Sequence, residues 1–206
     1  MTHLRLNNLK YFLLCLLLGL SFTACKDDDN DGPEEISPFA VFILNEGNFQ
    51  QGNASIDVYD PGPQRLRSGV FQEVNGLPLG DVAQSAIFKS GKMYIVVNNS
   101  GKIEVVNPNT LESITTISGF TSPRYIFPVD NNRGYVTDLF AGEISIIDFN
   151  TDVITGSIPL PGWSEQMVAV ANRVFVAMAD TNLIYAIDPD TDEVTDTINV
   201  VRGPNS

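Results

Sequence analysis

Arg124, Tyr125 and Trp163 are the side chains of this sequence whose placement asks for a chemical reason. A guanidinium, a phenol and the chain's single tryptophan stand in segments rich in Gly, Pro, Ser and Asn, where small residues would satisfy a turn. Phe49, Phe120 and Phe140 occupy segments of the same kind, as do Asn98, Asn99 and Asp138. Aromatic bodies beside amide and guanidinium donors suit the capture of a large, flat, amphipathic molecule. The same residues also have a structural use. Aromatics can wedge between packed sheets, Asn and Asp tolerate turn geometry, and Arg124 can form a salt bridge to Asp138 or Glu165, which at a surface contributes under ~1 kcal/mol.

Groups for covalent or acid–base chemistry are scarce. His3 is the only histidine, and it lies in a leader. Arg5 and Lys10 give that leader a basic start, and Tyr11 to Leu20 is apolar apart from Gly19. The run is shorter than the ~20 apolar residues that a spanning helix needs, so residues 1–24 read as a signal peptide. A mature chain without histidine cannot run a Ser-His-Asp triad, ligate zinc through imidazole or use the commonest general base. The expectation is a protein that is not an enzyme and carries no catalytic residues or metal.

Phe22-Thr23-Ala24-Cys25 resembles a bacterial lipobox, which implies acylation of Cys25 and uses up the last cysteine, so no disulfide is expected. Residues 25–38 read as an acidic flexible tether too poor in apolar residues to bury a core. Asp27, Asp29 and Asp31 mimic the start of a calcium loop, but Pro38 stands where the bidentate Glu is due. An acidic stretch directly after the lipidated cysteine is similar to the surface-export signal of Bacteroidota lipoproteins. That resemblance implies an outer-membrane, surface-exposed, lipid-anchored protein. Loss of Arg5 and Lys10 with the leader takes 12 basic residues to 10 against 25 acidic ones, a net charge of −15. Such a balance repels phosphate backbones, so nucleic acid is not an expected partner.

The elements that must position these side chains repeat. Ser55 to Pro61, Lys102 to Pro108, Glu143 to Phe149 and Leu183 to Pro189 are four copies of one strand, each closing on Asp or Asn. Another strand precedes each copy and a third follows it, as in Ser113 to Ile117 and Val194 to Ile198. A fourth strand opens the next unit at Ser85 to Phe88, Arg124 to Val129 and Gln166 to Val170. These short β-branched and aromatic runs, bounded by Asn, Asp, Gly and Pro, predict all-β architecture over residues 39–206. The recurring four-stranded antiparallel meander is the signature of β-propeller blades, about four of them. The first unit lacks its innermost strand, so the spacing predicts an incomplete ring, with open edges that favour association. Loops leading into the innermost strands and loops joining second to third strands should gather on one side, bringing Phe49, Phe120, Tyr125, Phe140 and Trp163 to a common rim.

Asn45-Glu46-Gly47-Asn48-Phe49, the segment Gly76 to Ser85, and Tyr94 to Ile103 resemble the YncE-like surface-lipoprotein propellers of Bacteroidota, including the outer-membrane corrinoid-binding lipoproteins known as BtuG. The resemblance covers essentially all of residues 39–206. It implies a seven-bladed parent of which this chain is a truncated part, with a corrinoid such as cobalamin as ligand and a TonB-dependent outer-membrane transporter as partner. A cell-surface protein-interaction scaffold is a second expectation. Lactonase-like and quinoprotein-like activities are a third. The first would need a carboxylate cluster holding a divalent cation, which is not apparent, and the second is associated with tryptophan-rich repeats, where this chain has one Trp.

Overall fold

The computed structural model describes residues 32–204, and the leader, Cys25 and Asp27 to Asp31 lie outside them. The compact unit begins at Pro33. The end of the stretch read as a tether therefore belongs to it. Ile36 is buried and donates its N–H to the Asn109 carbonyl at 2.6 Å, while Glu34 meets Arg65 and, at 3.1 Å, Arg67.

Antiparallel sheets follow one another along the chain. The first has three strands, β1 (Val41–Asn45), β2 (Ser55–Asp60) and β3 (Arg65–Arg67), and is followed by helix α1 (Val70–Asn75). Three four-stranded blades succeed it. The second contains β4 (Ala83–Lys89), β5 (Lys92–Val97), β6 (Lys102–Val106) and β7 (Ser113–Ser118). The third contains β8 (Pro123–Pro128), β9 (Arg133–Asp138), β10 (Glu143–Asp148) and β11 (Val153–Pro159). The last contains β12 (Ser164–Val170), β13 (Arg173–Met178), β14 (Leu183–Asp188) and β15 (Glu193–Asn199). Each sheet is a simple up-and-down meander, as the strand spacing predicts. Helix α1 is too short for a 3.6-residue period to show in the sequence. It forms because Val70 and Phe71 are fully buried and left-handed Gly69 and Gly76 bound it.

Burial is nearly continuous along the second and third strands of the internal blades, because both of their faces pack on neighbours. Three apolar clusters result, one between each consecutive pair of blades, and among the described residues none joins the last blade to the first. The innermost strands β4, β8 and β12 lie side by side in that order, as radial packing about an axis requires. Gly134 shows how tight the packing is. A Cβ there would lie 2.5 Å from Cζ of Phe149, whose ring meets Tyr94 edge-on at 5.2 Å.

A polar pin repeats at two of the three junctions. Tyr94 on β5 donates its hydroxyl to Asp152 at 2.6 Å, in the β10–β11 turn of the next blade, and Lys92 donates to the same carboxylate at 2.6 Å. One blade further, Tyr135 donates to Asp192 and Arg133 Nη1 joins it at 2.8 Å. Between the first two blades the matching turn residue is Leu111, buried in the cluster that Phe42 packs against. Leu111, Asp152 and Asp192 share the left-handed region at φ 62°, 55° and 57°. Asp adopts that region readily, whereas Leu does so at a strain offset here by full burial.

Candidate functional site

Both predicted loop sets lie on one side of the molecule and are stitched together by backbone hydrogen bonds. Asn98 donates its N–H to Val82 O at 2.8 Å, Leu139 to Ser122 O at 3.0 Å, and Ala179 to Trp163 O at 2.9 Å. Each bond ties a turn between second and third strands to the loop leading into the same blade.

The polar residues singled out by sequence are absorbed by this stitching. Asp138 is 1% exposed. One of its oxygens accepts the N–H groups of Phe140 (2.9 Å) and Ala141 (3.0 Å) in its own turn, and the other accepts those of Thr121 (2.9 Å) and Ser122 (2.8 Å). Its backbone also exchanges hydrogen bonds with Ser164 Oγ of the next blade. Asn98 is buried and donates its amide to Ser122 Oγ and Pro123 O, both at 2.9 Å, fastening the second blade to the third. Asn99 is exposed but bonded to Asp81 Oδ2 at 2.7 Å. Both oxygens of Asp138 and the amide donor of Asn98 are thus committed within the loops.

Arg124 spans three blades. Its Nε donates to Glu165 Oε2 at 3.0 Å, its Nη1 donates to Gln84 Oε1, and its guanidinium lies 5.8 Å from the centre of the Tyr125 ring. Glu165 is the salt-bridge partner. Asp138, the other candidate, is already saturated. Gln84 also donates to the Tyr125 hydroxyl at 3.3 Å. Gln84, Arg124 and Glu165 are the second residues of β4, β8 and β12, and in all three strands the pairing register slips at that point. Such bulges re-aim side chains, which is why a period-two reading of the strands does not bring Gln84 forward.

The aromatics divide. Phe120 is half-buried against the cluster between the second and third blades, so it wedges rather than lines a site. Phe49 is exposed in the β1–β2 loop of the first blade, and Tyr125 is tied into the Arg124 network. Phe140 and Trp163 come together, 61% and 46% exposed, with ring centres 5.7 Å apart at 88°. They border a cavity of about 210 Å³ with Leu139, Gly142, Gly162 and Asp180. Asp180 Oδ1 accepts the Trp163 N–H at 2.9 Å and anchors the loop that carries the indole. Gly162 is required beside it. At φ 116° it is in a region L side chains avoid, and a Cβ would fall 3.0 Å from Asp180 Oδ1. Asp180 lies in the loop between β13 and β14, and nothing in its residue type or spacing sets it apart from the other turn carboxylates.

A broader depression of about 590 Å³ lies at the opposite end of the strands, along the unpaired edge of β1 and beside Phe88 of β4. No charged side chain lines it, so it offers nothing to orient a polar ligand. Among the described residues no group of three or more His, Cys, Asp or Glu side chains could hold a metal ion.

A family model described as "Domain of unknown function (DUF5074)" matches residues 40–206. No curated protein matches the chain. Among solved structures, the chain is similar to virginiamycin B lyase from Staphylococcus aureus, with 16% identity over 83% of this chain and 57% of that one, at a TM-score of 0.64. It is also similar to apo AztD from Citrobacter koseri, with 18% identity over 85% of this chain and 49% of that one, at 0.56. Hydrazine synthase of Kuenenia stuttgartiensis matches 56% of this chain and 35% of its own length, with 17% identity at 0.52. The chain spans about a third to just over half of the length of these structures. At such identities the likeness is one of fold, and it agrees with the blade architecture.

Proposed function

We propose, from the premise that this chain belongs to the DUF5074 family, that it is a lipid-tethered propeller at the outer-membrane surface which captures a small amphipathic molecule on its loop face. The observation that carries the proposal is the exposed edge-to-face pair of Phe140 and Trp163 above a recess anchored by Asp180. Two large aromatics are left roughly half in water, in loops otherwise tied together by hydrogen bonds. Burying them under a flat ligand gives roughly 25 cal/mol for each Å² removed from water. The recess is smaller than the 300–1,000 Å³ of a typical enclosing site, so it grips one edge of a ligand rather than swallowing it.

A corrinoid such as cobalamin is the favoured ligand, in keeping with the sequence resemblance, and a TonB-dependent transporter is the receiver of the cargo. Acylated Cys25 and the acidic stretch after it supply the tether. Calorimetric titration of the full chain with cobalamin tests the ligand, and the fluorescence lifetime of Trp163, the sole tryptophan, tests the place. Micromolar binding with a shortened lifetime is the expected result. Binding with no change in lifetime would remove the assignment to this recess, and no heat at micromolar concentrations would remove corrinoid.

A further inference from the structure

Two arginine-tyrosine pairs bridge blades, and they are satisfied to different degrees. Arg133 spends all three of its nitrogens, on Asp130 Oδ2 at 2.9 Å, Asp192 Oδ2 at 2.8 Å and Pro189 O at 2.8 Å, and Tyr135 beside it donates its hydroxyl to Asp192. Nothing in that pair is left over. Arg124 and Tyr125 form the other pair, on β8 of the third blade, which has a blade on either side. There Nε serves Glu165 and Nη1 serves Gln84, but among the described residues Nη2 meets no acceptor. The Tyr125 hydroxyl accepts from Gln84 at 3.3 Å and donates to no acceptor among them. This pair therefore keeps donors that its counterpart spends.

The unspent guanidinium nitrogen is open to solvent. Asp81 Oδ1 is the one buried side-chain nitrogen or oxygen without a partner among the described residues, and the Arg124 side chain is 19% exposed. The guanidinium lies 5.8 Å from the Tyr125 ring centre, so both donors border one patch. That patch adjoins the aromatic recess. Trp163 stands two residues before Glu165 on the same segment, about 7 Å at most along the chain, and Glu165 holds Arg124 at 3.0 Å. A single ligand can meet both.

We infer that Arg124 Nη2 and the Tyr125 hydroxyl hold the carbonyl oxygen of a neutral carboxamide on the ligand whose rings cover Phe140 and Trp163. The inference rests on the loop-face reading and adds the chemistry of the ligand's polar end. Donors without acceptors select an oxygen. Charge selects an uncharged one. The Arg124 cation is already matched by Glu165, which is buried, and the chain carries a formal net charge of −13. A carboxylate placed there would face the Glu165 carboxylate with no second cation in this network to offset it, and like charges set together count against binding. A carboxamide oxygen needs only the two donors.

Probes that share one ring and differ in one substituent test this. Indole-3-acetamide, indole-3-acetate and 3-methylindole are each titrated into the isotope-labelled full chain and followed at the indole N–H resonance of Trp163, the sole tryptophan. The amide should bind about tenfold more tightly than the methyl compound, the effect of roughly one or two net hydrogen bonds, and the acetate should bind no better than the methyl compound. Tyr125→Phe keeps the ring and should keep the wild-type circular dichroism spectrum. It should weaken the amide about threefold or more and leave 3-methylindole unchanged. Equal affinities for the amide and the methyl compound, tighter binding of the acetate than of the amide, or a Tyr125→Phe variant that treats all three alike would overturn the inference and leave the aromatic recess standing. Failure of every probe to shift the Trp163 resonance would remove the recess as a ring site, and the inference with it.

Discussion

Two regions of the loop face use similar residue types to opposite ends. Around Asn98 and Asp138 the Asn98 amide N–H groups and both Asp138 oxygens are matched, the residues are buried, and the Asn98 bonds run from one blade to the next. Around Phe140 and Trp163 the polar contacts belong to the backbone, and the large apolar surfaces are left in water. The first region holds blades in register. The second is free to be covered. The difference teaches that, on a repeat scaffold, a polar residue in a turn is more readily committed to neighbouring loops than an aromatic one, because each blade presents unpaired N–H groups that need an acceptor.

That division can be broken or sharpened by substitution. Asp138→Ala removes the acceptor of four backbone N–H groups in a buried setting and should lower unfolding free energy by about 3 kcal/mol or more, read from urea unfolding midpoints. Asn98→Ala leaves Ser122 Oγ and Pro123 O without their donor and should cost about 1–3 kcal/mol by the same measurement. Tyr94→Phe deletes a hydroxyl that meets both Asp152 Oδ1 and Phe149 O of the next blade and should cost about 1–2 kcal/mol at neutral pH.

The tyrosine pins also set an alkaline limit. Burial, and then hydrogen bonding to Asp152, push the Tyr94 phenol above its ordinary value, and burial with Asp192 does the same for Tyr135. A proton held more tightly in the folded chain contributes stability that is fully present below pH ~10 and is lost as pH rises toward the raised value. The stability of Tyr94→Phe should therefore fall less steeply than wild type above pH 10, and parallel slopes for the two proteins would break the assignment.

Much of the fold was legible in the chain because its signals are local. The β-branched runs such as Glu143 to Asp148, with a closing Asp or Asn at each repeat, fix strands, period and meander together, and the loop face follows from topology. What each loop residue does there was not legible. Asp138 reads as a turn residue, and it is one, but its second oxygen serves a segment 16 and 17 residues away that only the folded blade brings near. Glu165 could be read as a partner of Arg124, but Gln84 stayed hidden because the bulge at β4 breaks the alternation by which inward residues are recognised. Leu111 hides its role differently. It holds the position that Asp fills in the later blades, so the polar pin cannot be traced to the first junction by residue type.

Trp163 offers the most direct test of the distinction between residues that hold the blades and residues that await a ligand. Urea unfolding of Trp163→Ala, run beside wild type and Asp138→Ala and followed by circular dichroism, should show a loss under about 1 kcal/mol, the worth of one exposed aromatic contact. A loss as large as that of Asp138→Ala would show that the aromatic pair is part of the framework, and the exposed recess would then have no claim to be a binding site.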